Sequence, residues 1–325
     1  AKLAMRATAR SMAIAALTNL MNDSQDLVVR FQAAQMMGEL TPDNLNAIEF
    51  LIDLISQPQY IGTYLDYQAA ETLEQIGIKN SNSEIVKRLN QRLKNSQDER
   101  SLLRLAQCLG KIDSGNPEAI YALIYLINNG QQPMTPNKAI ANLGDIADGN
   151  LDAINALAEL IRNALKTPTY KSVNLVFSAI NSLGKIGSEN SSAISVLIEL
   201  LQSRFEELRL EAAISLTRIH SNISDVSVCL VNLINTSKNE SIKVRAEQCL
   251  NKINTERDQT VSSSTDALRT SNNPLILRDA TDIWEEANSD RSKIIELLTQ
   301  RLSSSQDEDA LRATAESLGR LDPGN

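Results

Sequence analysis

The sequence predicts an all-α fold: a right-handed α-solenoid, or superhelix, of about nine helical hairpins with a period of about 34 residues. Three observations carry that reading. A motif close to AAxxLGxI returns along nearly the whole chain, and a second amphipathic segment precedes most copies by about 20 residues. Hydrophobic residues make up 42% of the chain but aromatics only 3%, so the interior is written in Leu, Ile, Val and Ala, the vocabulary of packed helices. With 325 residues the chain exceeds the usual size of one compact core, a limit that a stacked array does not meet.

The elements follow in chain order. Leu3, inside AKLAMRATA, stands one period before the first full anchor, Met37, in AAQMMGEL (33–40). NAIEFLIDLI (46–55) has apolar residues at i, i+3, i+4 and i+7, the stripe of an amphipathic first helix, and AAETLEQI (69–76) supplies its second helix with anchor Leu73. LAQCLGKI (105–112) carries Leu109. EAIYALIYLI (118–127) pairs with AIANLGDI (139–146) and Leu143, DAINALAELI (152–161) with AINSLGKI (179–186) and Leu183, and SAISVLIELL (192–201) with AAISLTRI (212–219) and Leu216. AEQCLNKI (246–253) holds Leu250, Trp284 takes the anchor place of a degenerate copy, and TAESLGRL (314–321) ends the series with Leu318. The anchors lie 33 to 40 residues apart, which chance does not maintain. Between hairpins, segments such as IDSGNPEA (112–119) combine a Gly suited to a left-handed helix end with Pro at the next first turn. Within hairpins, SQD at 24–26, 96–98 and 305–307 offers side chains that cap the second helix.

Three departures break the pattern. Thr167 to Val173 (TPTYKSV) falls in a connection about six residues longer than its equivalents. Ser56 to Asp66 (SQPQYIGTYLD) concentrates Tyr60 and Tyr64, with Tyr67 just beyond, either as an interface or as a loop ordered by its own contacts. Asn254 to Asn273 has lost the apolar stripe of a first helix and reads as partly unwound. The chain therefore divides into regular repeats over 1–253, a degenerate and mobile repeat over 254–291, and a final repeat over 292–325. Both ends read as cuts through a longer array, so the remainder of a parent chain is expected to adjoin each of them.

Among helical repeats of this length, the tetratricopeptide pattern puts Leu-Gly in the first helix with aromatic partners, and ankyrin requires Thr-Pro-Leu-His. Here Leu-Gly closes the second helix, and acidic turn residues precede an Arg: Asp26 with Arg30, Glu206 with Arg209, Asp307 with Arg312. In these respects the chain resembles the HEAT-repeat family, in which such pairs form a ladder between adjacent repeats; Asp66 stands where an Arg is expected and interrupts it. Runs such as SLGKIGSENSSAISVLIELL, CLGKIDSGNPEAIYALIYLI and SSSQDEDALRATAESLGRLDPGN resemble the C-terminal HEAT arrays of bacterial NACHT-type STAND NTPases, which are NLR-like signalling proteins. That resemblance implies a sensor array that recognises a ligand or partner while other domains carry out the chemistry. Two other readings stay open: a HEAT-type phycobilin lyase or isomerase subunit, and a passive assembly scaffold.

Composition narrows the function. A net charge of −8 argues against a surface devoted to nucleic acid, though a local basic patch remains open. Three cysteines in helical patterns read as reduced thiols of a cytoplasmic protein. The longest apolar run, 119–127, is far below the roughly 20 residues of a membrane span. There is no GxxxxGK[ST] loop, HExxH or paired CxxC, and the single histidine, His220, sits in an inter-repeat turn. No catalytic residue, metal site or cofactor is expected, and the chain reads as a non-enzyme.

Relative to each anchor, positions −5, −2 and +2 lie on the opposite side of the second helix, the side that lines the concave surface in HEAT proteins. In the five middle repeats these columns hold Arg104, Lys111, Lys138, Lys185, Arg218, Arg245 and Lys252 against Asp145 and Glu211. The expectation is a basic groove for an acidic protein or anionic ligand, with Tyr60, Tyr64 and Tyr170 as further contacts. The plainer alternative is that these lysines are solvated residues near helix C-termini. The anchors themselves are expected to be fully buried. Leu109→Ala should then lower stability by about 2–5 kcal/mol in chemical denaturation, and an unchanged transition would contradict the alignment.

Overall fold

The computed structural model describes residues 2–80, 83–166, 170–188, 190–219, 223–271, 273–287 and 291–321; of these, the side chains of 2–7, 80, 170, 171, 223, 274, 284–287 and 291 are left undescribed. The described residues are helical throughout, without a strand. In order the helices are α1 (Lys2–Asp23), α2 (Leu27–Leu40), α3 (Leu45–Ser56), α4 (Tyr64–Asn80), α5 (Ser83–Asn95), α6 (Glu99–Ile112), α7 (Pro117–Asn129), α8 (Thr135–Ile146) and α9 (Leu151–Lys166). They continue with α10 (Tyr170–Ile186), α11 (Ser191–Leu201), α12 (Glu206–Arg218), α13 (Ile223–Thr236), α14 (Glu240–Thr270), α15 (Pro274–Ala287), α16 (Arg291–Ser304) and α17 (Glu308–Leu321). The chain forms two compact units, residues 1–222 and 223–325. The boundary expected at 253/254 falls inside α14.

The first unit is an α-solenoid of six hairpins. Each even-numbered helix packs on its own first helix and on the adjacent second helices of the unit. Local chemistry sets the helix starts. Asp26 and Asp98 accept hydrogen bonds from Val28 N and Ser101 N at 2.8 and 2.9 Å, so the SQD turns cap α2 and α6. Asn44, Asn116, Asn150 and Asn190 do the same for α3, α7, α9 and α11. Gly115 and Gly149 adopt the left-handed region, with φ of 83° and 65°. Their N–H groups donate to Ile146 O and Ile186 O of the following repeats, which ties each turn to its neighbour.

The anchors Met37, Leu73, Leu109, Leu143, Leu183 and Leu216 are all fully buried. The Leu-Gly pairing has a specific cause. A Cβ added to Gly110 would lie 2.5 Å from Ile146 Cδ1, one on Gly144 2.5 Å from Ser182 Oγ, and one on Gly184 2.7 Å from Ser215 Cβ. Each glycine thus lets the next second helix come into near contact. In the second repeat Glu74 takes the position after the anchor, and Gly77 supplies the approach one turn later, 2.7 Å from Ile112. Small residues just before the anchors complete the seam: Ser182 donates to Ile140 O at 2.9 Å and Ser215 to Ile180 O at 3.1 Å, three residues ahead of the preceding anchor.

The second unit packs α13 on α14, α14 on α15, and α15 and α16 on α17. Its core gathers Leu268, Leu277, Ile294, Leu298, Ala310, Ala313 and Leu321. Two anchor expectations are corrected here. Leu250 is only half-buried, because the buried stripe of α14 runs through Ile242, Ala246 and Ile253 and leaves it at the edge. Leu318 is half-buried because α17 turns Ala310, Ala313, Thr314, Ser317 and Leu321 inward instead. The side chain of Trp284 lies outside the described residues.

Two irregularities also differ from expectation. The stretch expected to unwind from Asn254 is helical through Thr270, since α14 contains neither Gly nor Pro and nothing in its 31 residues ends the helix. The extra residues near Thr167 lengthen α9 and α10 to 16 and 17 residues rather than forming a long loop, leaving 167–169 between them, outside the described residues.

Because Ser182 Cα itself would lie 3.0 Å from a Cβ on Gly144, Gly144→Ala must separate α8 from α10. It should lower stability by about 1–3 kcal/mol. Gly319→Ala, where nothing lies within 4 Å, should raise it by about 0.5–1 kcal/mol. Denaturation midpoints of the two variants should move in opposite directions; a shared direction would overturn the close-approach account.

Candidate functional site

The second-helix columns expected to form a basic groove are largely engaged with their neighbours. The basic residue two past the anchor reaches back to the preceding second helix: Lys111 Nζ to Glu74 Oε2 at 3.0 Å, Lys185 Nζ to Asp145 Oδ1 at 2.5 Å, and Arg218 to both the carbonyl and side-chain oxygens of Asn181. In the second unit Arg320 repeats the device with Asp282 at 3.0 Å, while Lys252 pairs within its own helix with Glu256. Lys138 and Arg245 are exposed. The excess of positive charge read from three columns is therefore reduced by carboxylates at positions those columns omit, Glu74 among them.

Arg104 is the most engaged. Its Nη2 donates to Asp66 Oδ2 at 2.8 Å, its Nη1 to Gln107 at 3.1 Å, and its guanidinium lies 4.5 Å from the centre of the Tyr67 ring. Asp66 is 0% exposed and also accepts Gly62 N–H at 2.8 Å; its Oδ1 has no partner among the described residues. The residue that interrupts the expected Asp–Arg ladder thus makes a buried pair of reversed polarity. The acidic–Arg pairs read from the sequence are mostly spent within their own repeats. Asp26 and Asp307 are occupied capping their own helices, and Arg30 donates to Met21 O and lies over Phe50. Arg209 donates to Ser203 O at 2.8 Å, with Glu206 3.9 Å away.

The Tyr60 loop is held by its own bonds, Thr63 Oγ1 to Tyr60 O at 2.6 Å and Gly62 N–H to Asp66. Tyr60 is half-buried, while Tyr64 and Tyr67 are 73% and 55% exposed. The side chain of Tyr170 and the whole of His220 lie outside the described residues. Cys108 is buried, and burial, chiefly, pushes its thiol well above the ordinary range, so it stays protonated. No cluster of His, Cys, Asp or Glu among the described residues could hold a metal ion, and no described helix is long and apolar enough to cross a membrane.

A second candidate surface lies in the other layer, that of the first helices. A groove of about 1630 Å³ runs between the first helices α7 and α9, with the end of α5 at one side. Tyr121 and Tyr125, 74% and 48% exposed, stand on the α7 wall; Asp152, Asn155 and Glu159 stand on the α9 wall. Ile124, Ala156 and Leu160 line it between them. The repeat pattern does not point to this site, although EAIYALIYLI places both tyrosines four residues apart on one helix face.

No protein-family model matches the chain, and no curated protein matches it significantly. Among solved structures, the complex of CpcE and CpcF of phycocyanin lyase from Nostoc sp. PCC7120 is similar over 75% of this chain and 94% of that one, at 21% identity and a TM-score of 0.35. The Escherichia coli protein YibA is similar over 92% and 98%, at 15% identity and a TM-score of 0.44. At such TM-scores neither similarity assigns a family or an activity.

Removing Arg104 strands the buried Asp66 carboxylate, and removing Asp66 leaves the half-buried Arg104 guanidinium without its ion partner. Asp66→Ala and Arg104→Ala should each cost about 3–5 kcal/mol by denaturant titration, with the double variant costing well under their sum. Additive losses would show that the pair does not act as a unit.

Proposed function

We propose that this chain is a non-catalytic recognition module, a helical-repeat array that binds a protein partner with the side chains left over once the packing positions are filled. The finer reading, a sensor array of a bacterial NACHT-type STAND signalling or defence protein, is supported by the wording of the repeats, SLGKIGSENSSAISVLIELL above all. The observation that carries the module reading is where the tyrosines lie. Tyr64, Tyr67, Tyr121 and Tyr125 are all exposed, in a chain with 3% aromatic residues whose core is aliphatic. A folding role would place such rings inside, where each recovers a large apolar area. On the surface, tyrosine is the side chain that most often anchors an interface, since its rigid ring buries area at small entropic cost and its hydroxyl stays satisfied.

The test is affinity capture with the wild-type chain and a Tyr64→Ala/Tyr121→Ala/Tyr125→Ala variant, followed by titration calorimetry with the purified partner. A partner whose affinity falls at least about tenfold in the variant, at unchanged melting temperature, supports the reading. A partner bound equally by both, or a chain that turns over a substrate unaided, overturns it.

A further inference from the structure

Among the first helices of the first unit, α3, α5 and α7 are braced by ion pairs from one to the next, and the junction of α7 with α9 is not. Glu49 of α3 meets Arg88 and Arg92 of α5 at 2.8 and 2.6 Å, and Asp53 meets Arg92 at 2.7 Å. Burial raises the Glu49 carboxyl pKa, but the hydrogen bonds from the two arginines outweigh it and hold the group below its ordinary value. Lys94 of α5 then meets Glu118 of α7 at 2.9 Å, and that hydrogen bond draws the Glu118 carboxyl down. Between α7 and α9 no ion pair forms among the described residues. Asp152 and Glu159 face the groove from α9, exposed and unpaired, opposite the rings of Tyr121 and Tyr125. The two junctions before it, α3–α5 and α5–α7, each supply a cation, and this one supplies two carboxylates and two π faces, both of which attract cations.

We propose that the groove between α7 and α9 binds an extended segment of a partner polypeptide that brings the missing arginine or lysine side chains. The proposal rests on the recognition-module reading and names its occupant. Size favours a polypeptide: about 1630 Å³ exceeds the roughly 300–1,000 Å³ of small-molecule pockets. Charge decides its sign, because Glu118 is already paired with Lys94 and the remaining lining charges, Asp152 and Glu159, are both negative. The polar lining decides its conformation. Asn128, Asn155 and Asn163 each both donate and accept, which suits a backbone with open N–H and C=O groups; a helix keeps those groups for itself.

Spacing sharpens the match. Asp152 and Glu159 are seven residues apart on one helix, about 10 Å along its axis. In a polyproline-II chain residues i and i+3 lie on one side and about 9 Å apart. Cations at every third residue, with apolar residues between them for Ile124 and Leu160, fit the two walls together.

The probe is a fluorescein-labelled peptide with Arg at every third position and Pro and Leu between, measured by anisotropy against the full chain at low and high salt. Its counterpart carries Glu in place of each Arg. The Arg peptide should bind, more weakly at high salt. Asp152→Lys/Glu159→Lys should weaken it at least about tenfold, and Tyr121→Ala/Tyr125→Ala by about five- to tenfold, with melting temperatures unchanged because all four side chains are exposed. Lys138→Glu, on the opposite layer, should leave it unaltered. Equal binding of the Glu peptide, full competition by free arginine at matched concentration, or affinity that survives the double reversal would each overturn the proposal. Such a failure is separable from failure of the module reading, since partner capture by the wild-type chain and by a Tyr64→Ala single variant is read without this peptide.

Discussion

The stacking of the first unit depends on a contact made possible by a missing atom. Where Gly110, Gly144 and Gly184 follow their anchors, the absent Cβ lets the next second helix approach until it nearly touches backbone. Once the spacing is that short, other choices are forced. Opposite Gly144 and Gly184 the residue before the next anchor is a small serine, which also satisfies itself on a carbonyl of the preceding repeat. A lysine two past the anchor finds itself within reach of the previous helix and becomes a strut. Van der Waals contact, hydrogen bond and ion pair are three consequences of one interhelical distance.

That dependence explains what could be read from the sequence and what could not. Helices, hairpins and anchors were legible because each is set within a few residues: apolar spacing, an Asp or Asn cap, a left-handed glycine. Met37, Leu73, Leu109, Leu143, Leu183 and Leu216 are buried as their period implies. The fate of the charges was not legible, because the partner of Lys111 lies 37 residues away and no local pattern records it. A helical wheel counts the lysine as free surface; only the stacked neighbour shows Glu74 beside it.

The second unit departs from the period for a local reason that the repeat alignment obscured. Aligning Leu250 and Trp284 as anchors presumes a turn between them, and turns need residues that end helices. From Glu240 to Thr270 there is no Gly or Pro, so one helix spans two repeat positions. Arg301 then takes over part of the work of a cap, donating to Leu268 O at 2.6 Å and to Ser271 O near the end of that helix. Burial lowers the Arg301 pKa, though it remains a cation bound to carbonyl oxygens. Similarity of wording to neighbouring repeats outlasts the conformation it normally encodes.

The same logic relocates the surface available for binding. Tight second helices use several of their charges on one another, so the layer with the stronger basic pattern in sequence offers fewer of them than that pattern suggests. First helices are held together by long side chains rather than by close backbone contact, and their junctions vary with what those side chains are. At α3–α5 and α5–α7 the pairs close. At α7–α9 tyrosine replaces the cation, two carboxylates stay solvated, and the layer opens. A repeat array that must keep one seam rigid can vary the other without unfolding, which makes the first-helix junctions the place where a sequence can change its partner while keeping its fold.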